Sequence, residues 1–341
     1  MPDLSTEQVI TSLSILGNYL SNPSAELEQL VNAAQFNNAW FTAESTQNAL
    51  FSIGNSLKEE KLKKWLLTYE SGLFLQKKSK KVGLILAGNL PLVGFHDIVC
   101  VLASGNKALI KLSSQDTKLI PFLLKKLTEI EPAFAGRFEF VERLTDFDAI
   151  IATGSNNSSR YFDYYFSKYP HIIRKNRNSV AVLNGSETAD DFHELGKDIF
   201  WYFGLGCRNV SKLYVPQGYN FTSFFEGIES YKPIINHNKY ANNFDYNLTL
   251  LLMNKVKYLE NHFLMISENS SYSSPIASLH YEFYADETEL KTRLATDADL
   301  IQCVVSKDGL FQGSLSFGTA QQPELWDYAD GIDTMEFLLK I

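Results

Sequence analysis

The sequence predicts an α/β fold, and three observations carry that prediction. Short apolar runs alternate with helical patterns from Val82 onward. The runs are continuous rather than alternating apolar and polar, as in parallel strands buried on both faces. A second series of the same kind opens at Val180-Ala181-Val182-Leu183. Alternation at this spacing indicates open sheets with right-handed crossovers.

The elements follow in order. Residues 1–70 carry helical periodicity. Ser5-Thr6-Glu7-Gln8 has the spacing of a capping box ahead of Val9, Ile10, Leu13 and Leu16. Ser24 and Ser45 are the expected caps of the next two helices, and Leu62, Trp65, Leu66 and Tyr69 keep the helical period. The lysine cluster within 72–81 reads as a hairpin or an exposed edge strand, since edges tolerate lysine. The apolar run 82–87 is a buried strand. Helices are expected over 93–104, 116–128 and 155–168, with strands over 107–112, 137–141 and 149–152. The second region is expected to contain a strand from 180, a helix over 189–203, a strand over 211–215, and strands near 278–284 and 301–305. The domain change is placed at residue 178.

Composition narrows the function classes. The chain has 341 residues, 45% of them hydrophobic and 21% charged, enough for a sizeable core in two domains. A formal net charge of -8 with no basic stripe argues against nucleic-acid binding. No run approaches the ~20 apolar residues of a membrane span, and the N-terminus lacks the pattern of a signal peptide. Three scattered cysteines form no disulfide framework, and the chain contains no Cys-x-x-Cys pair. The expectation is a reduced, cytoplasmic protein. No His/Cys/Asp cluster has metal-ligand spacing, so no metal is expected.

Four short segments carry chemistry. In Gly204-Leu205-Gly206-Cys207-Arg208-Asn209 a cysteine follows two glycines and precedes an arginine. Nearby positive charge favours the thiolate, the nucleophilic form. Cys100 and Cys303 lie inside apolar runs and read as small buried hydrophobes. Thr153-Gly154-Ser155 precedes a helix, where backbone N–H groups receive a pyrophosphate or simply meet a capping Ser155. Lys111 ends the apolar run that starts at Ala108, within reach of a ribose or of solvent alone. Asn89, in the turn after the first strand, offers a carboxamide N–H or serves as a turn residue. A Gly-x-Gly-x-x-Gly turn and a Walker A loop are both absent from the sequence.

Taken together, Asn89, Lys111, Gly154-Ser155 and Cys207 resemble the aldehyde dehydrogenase superfamily. Within it the chain looks most like the LuxC-type acyl-CoA reductases, the fatty acid reductase component associated with bacterial bioluminescence. Ala87 to Gly94, Ala103 to Lys111, Gly206 to Leu213, and the tail motifs starting at Phe317 and Tyr328 carry the likeness. It extends over roughly residues 80–341.

The resemblance implies an aldehyde dehydrogenase-like fold. Helices and a Rossmann-type NADP-binding domain would occupy 1–178, a catalytic α/β domain with the nucleophilic cysteine 179–315, and a segment closing the active site 316–341. Cys207 would be the nucleophile, with Asn89 and the Cys207 amide as the oxyanion hole. Lys111 would hold the adenosine ribose, and Gly154-Ser155 would lie against the pyrophosphate. Members that prefer NAD often carry a glutamate three residues after that lysine. Ser114 stands there in this chain, which favours NADPH and leaves NADH as the alternative. The segment Arg174-Lys175-Asn176-Arg177-Asn178-Ser179 lacks the glutamate that activates water in aldehyde-oxidising members. That absence points to a thioester reductase acting on acyl-CoA or an acyl-protein, with a long fatty acyl chain implied by the family.

His96 is a candidate at the substrate entrance, set against a partly buried helix histidine. Phe192, Leu195, Ile199 and Tyr202 form a stripe that reads as core before it reads as a ligand tunnel. Two other functions stay open. One is an acyl-phosphate reductase, with Arg208 or Arg174 as the cation. The other is a non-catalytic scaffold for an acyl-activating partner. A homo-oligomer is expected, in complex with such a partner or without it.

Overall fold

A computed structural model describes residues 4–69, 78–154 and 156–341, with only the backbone of 156–160. The chain divides into two compact units, one of Met1–Asn176 with Pro323–Ile341 and one of Arg177–Gln322. Residues 316–322 thus go with the second unit and 323–341 with the first.

The first unit opens with four helices, α1 (Thr6–Ser21), α2 (Ala25–Asn37), α3 (Ala43–Ser56) and α4 (Glu59–Leu67). Ser5 and Gln8 form the expected capping box on α1, and Ser24 caps α2. On α3 the cap is Thr42 instead of Ser45, because the helix starts at Ala43 and Ser45 supplies the N–H that Thr42 accepts. Strands and helices then alternate: β1 (Lys81–Ile85), α5 (Phe95–Ala103), β2 (Lys107–Lys111), α6 (Leu119–Ile130), β3 (Phe138–Phe140), β4 (Ala149–Thr153), α7 (Asn156–Phe166) and β5 (His171–Arg174). All five strands are parallel, in the order β3-β2-β1-β4-β5. Lys81 therefore opens the central strand and lies on no edge; residues 72–77 fall outside the described residues. β1 lies at the centre, and Val82, Gly83 and Leu84 are all buried, as in a strand covered on both faces.

The tail returns to this unit with α12 (Thr334–Lys340). Its anchor is polar. Arg174 pairs with Asp97 at 2.5 Å, both of them buried, and also donates to the Ala329 carbonyl at 2.7 Å and to Thr334 Oγ1 at 3.0 Å. Trp65 donates to the Tyr328 hydroxyl at 2.6 Å, and Tyr69 to Asp333 at 2.6 Å.

The second unit contains β6 (Asn178–Val182), α8 (Ala189–Phe200), β7 (Val210–Pro216), α9 (Thr222–Gly227), α10 (Asn238–Met253), β8 (Tyr258–Glu260), β9 (Met265–Glu268), β10 (Ser278–Tyr284), α11 (Glu287–Thr296), β11 (Ile301–Ser306) and β12 (Leu315–Ser316). The sheet order is β12-β11-β6-β7-β10-β9-β8, parallel except for the β8–β9 pair. Side chains alternate along β6, as the pleat demands. Ala181 and Leu183 meet Phe192, Leu195 and Ile199 of α8 in one core, whereas Val180 and Val182 meet Leu290 and Leu294 of α11 in another. The aromatic stripe of α8 is thus core. Among the described residues, no helix is long and apolar enough to cross a membrane.

Candidate functional site

In the first unit the sequence-predicted ligand residues gather at the carboxyl edge of the sheet. Ile85 of β1 lies opposite Lys111 of β2 and Ala152 of β4, so the segments after these strands leave from one edge. The chain order reverses between β1 and β4, the place where open sheets bind ligands. Asn89 is exposed there, as are Lys111 and Ser114, and Gly154 is half-buried. Ser155 lies outside the described residues.

The turn carrying Asn89 is held from both sides. Asn38 donates to the Gly88 carbonyl at 3.2 Å. Asp116 accepts from the Leu92 amide at 3.0 Å and from the Leu119 amide at 3.3 Å. Burial raises the Asp116 pKa, opposed by those amides. Gly88 is needed for close approach: a Cβ there would lie 2.3 Å from Ser113 Oγ and 2.8 Å from Gln115 Cβ. His96 is drawn into the tail anchor, its Nε2 3.0 Å from the Leu325 carbonyl and its ring 5.6 Å from that of Tyr328.

In the second unit the cysteine segment lies at the amino edge of β7. α8 ends in a 3-10 turn in which Tyr202 and Phe203 hold left-handed φ of 56° and 60°, and Gly204 follows at 76°. Two bulky residues in that conformation are strained, and such strain persists only where surrounding contacts impose it. Asn209 imposes much of it. Its buried carboxamide donates to the Trp201 carbonyl at 2.8 Å and the Asp198 carbonyl at 3.0 Å, and accepts from the Gly206 amide at 2.9 Å. It satisfies the last carbonyls of α8, which have no partner within the helix.

Cys207 is exposed, whereas Cys100 is buried. Its carbonyl accepts from Ser179 Oγ at 2.9 Å. The same hydroxyl accepts from the Cys303 amide at 3.2 Å and lies 3.0 Å from Cys303 Sγ. Burial pushes the Cys303 thiol up to about 11, with the nearby Arg208 charge opposing it. Cys303 therefore stays a thiol at neutral pH, as does Cys100, which burial pushes well above the usual range. Arg208 is half-buried and donates to the Ala320 carbonyl at 3.4 Å. Further along, Lys212 of β7 is fully buried; its ammonium pairs with Glu282 and donates to the Ser270 carbonyl at 2.7 Å. Desolvation lowers its pKa, partly offset by Glu282.

The segment 28–223 matches the family model described as acyl-CoA reductase (LuxC). The chain belongs to that family. Solved structures with the same fold include aldehyde dehydrogenase 21 of Physcomitrella patens in complex with the product succinate. It is 13% identical at a TM-score of 0.63, over 99% of this chain and 89% of that one. An oxidoreductase of Marinobacter aquaeolei aligns at TM-score 0.64 and 11% identity, over 95% and 80%. A Mycobacterium tuberculosis aldehyde dehydrogenase complexed with NAD+ aligns at 0.63 and 10%, over 89% and 73%. No curated protein matches the sequence. The fold is that of the aldehyde dehydrogenases, and LuxC membership supports an oxidoreductase acting on aldehyde or acyl groups.

Sequence reasoning missed Asn209, Ser179 and Asp198. Asn209 lies within the matched cysteine segment, which is the signal that points to it. Ser179 and Asp198 give no such signal, because their partners are distant in sequence.

Proposed function

We propose that the chain reduces an acyl thioester to the aldehyde with NADPH, through a thioacyl intermediate on Cys207. The observation that carries this reading is the exposed Cys207 on a loop held by Asn209, Ser179 and Arg208, in a member of the LuxC family. The chemistry of the carboxyl edge suits the phosphorylated cofactor. Lys111 and Ser114 are exposed donors, and the nearest carboxylate in the Ser113-to-Asp116 turn is buried against backbone amides. No negative side chain of that turn would meet a 2′-phosphate. Lys111, Ser114, Gly154 and Ser155 would hold the cofactor, which supplies hydride to the thioacyl carbonyl when bound.

The steps on the protein are these. The Cys207 thiolate attacks the thioester carbonyl, Asn89 donates to the oxyanion, and the carrier thiolate leaves as the carbonyl re-forms. After hydride addition, the thiohemiacetal on Cys207 collapses, releasing aldehyde and restoring the thiolate. The segment Arg174 to Ser179 holds no carboxylate to activate water, so the thioacyl enzyme persists for reduction. Of the two cations named for the acyl-phosphate alternative, Arg174 is committed to Asp97 and the tail, which leaves Arg208.

NADPH oxidation is the test. With myristoyl-CoA it should proceed with release of free thiol, and Cys207→Ala should abolish it. Turnover of an acyl phosphate but of no thioester would defeat the proposal.

A further inference from the structure

Asp198, on the last turn of α8, is a fully buried acid that the reaction above does not use. All three of its oxygens are committed. One carboxylate oxygen accepts from the Gly318 amide at 2.7 Å and the other from the Ala320 amide at 3.0 Å. Its backbone carbonyl accepts from Asn209 at 3.0 Å. The Ala320 carbonyl in turn accepts from Arg208. These contacts close a ring from α8 to the Gly318-to-Ala320 loop, to Arg208, past Cys207 and back through Asn209 to α8. Gly318 fits at φ +80° with Glu194 packed where a Cβ would stand, so the loop has little freedom beside the helix.

We propose that Asp198 is a positioning residue for Cys207, setting Arg208 beside the nucleophile through Ala320, and that it does so as a carboxylate. This rests on Cys207 being the nucleophile of the acyl reductase. Two N–H groups facing two oxygens require two acceptors. A carboxylate offers a strong acceptor on each oxygen, whereas protonation leaves the hydroxyl oxygen a weaker acceptor and adds an O–H that needs a partner of its own. Burial raises the Asp198 pKa to about 7, opposed by the two amides. The clamp therefore engages as pH rises through neutrality.

Other groups facing Asp198 do not mimic this. Glu194 and Lys197 on its own helix pair with each other at 2.6 Å. Burial pushes the Cys303 thiol up to about 11, with the Arg208 charge opposing it. Cys207 is the reporter itself, and the Gly318-to-Ala320 loop brings no titratable side chain.

The test uses the full chain and reads iodoacetamide alkylation of Cys207 by peptide mass spectrometry between about pH 5 and 9. The same proteins are assayed for kcat and KM with myristoyl-CoA and NADPH. The unaltered protein should show a step near pH 7 in alkylation, besides that of the thiol itself. Asp198→Asn should lose that step, with kcat falling about 10-fold or more and KM changing less than about two-fold. Arg208→Gln should lose the step while Asp198 is intact, which keeps the test decisive if the first variant fails to fold. An Asp198→Asn protein with the unaltered profile and kcat overturns the proposal. A step present in the unaltered protein without any thioester turnover instead refutes the acyl-reductase reading and leaves the clamp standing.

Discussion

Asn209→Ala is the substitution whose effect follows most directly from the geometry. The side chain is 2% exposed and makes three short hydrogen bonds, at 2.8, 2.9 and 3.0 Å. At a net ~0.5–1.5 kcal/mol each, their loss destabilises the second unit by roughly 1.5–4.5 kcal/mol. For a unit of this size that lowers Tm by roughly 5–15 °C. Thermal unfolding followed by circular dichroism measures it. The partner variant is Asn209→Asp, which keeps the shape and the acceptor for Gly206. It sets a carboxylate oxygen against the Asp198 and Trp201 carbonyls, so at neutral pH it should be at least as unstable as the alanine variant. Well below Tm, release of the Gly206 amide in the alanine variant should still lower kcat by about 100-fold, the scale of a ~1 Å misplacement of a reacting group. An Asn209→Asp protein as stable as the unaltered one, or an Asn209→Ala protein as active, would refute this reasoning.

On the proposed mechanism, in which Asn89 donates to the oxyanion, Asn89→Ala should slow thioester reduction by about 100-fold or more. Gly88→Ala should lower kcat as well, because its Cβ would push the Asn89 turn off Ser113; steady-state kinetics reads both. Asp97→Ala leaves the buried Arg174 guanidinium without its carboxylate and should destabilise the first unit by ~3–5 kcal/mol, seen as a lower urea midpoint. Stability should also depend on Asp198. Its folded pKa of about 7 exceeds the unfolded value of ~3.9, so the folded state keeps a proton that the unfolded chain has released. The stability this contributes is present below about pH 4 and is lost as pH rises through 7. Comparing Tm across that window, Asp198→Asn should show a flatter slope.

Much of the α/β framework was legible because its signals are local. The runs 82–87 and 107–112 are continuous and apolar, and they became β1 and β2 within a residue or two. Ser5 and Gln8 sit three apart and cap α1 as that spacing implies. What the sequence hid depends on distant partners. Arg174 looked available as an anion-binding cation, yet Asp97 and the returning tail claim it. Asp198 accepts from the Gly318 and Ala320 amides, partners more than a hundred residues away that nothing in its own stretch announces. His96 read as an entrance residue or a half-buried helix histidine; its contact with the Leu325 carbonyl gives it a place in the tail anchor. The left-handed Tyr202 and Phe203 could not be foreseen, because no propensity favours bulky residues there. Of the three cysteines, burial separated Cys100 from Cys207 as their neighbours in sequence had suggested.

The central claim is that Cys207 carries the acyl group. Intact-protein mass spectrometry after mixing with myristoyl-CoA in the absence of NADPH tests it most directly. The account predicts one added acyl group, mapped to the Cys207 peptide, with free thiol released and the adduct discharged as aldehyde when NADPH is supplied. An unmodified protein that nonetheless oxidises NADPH with the thioester, or the same turnover by Cys207→Ala, would contradict it.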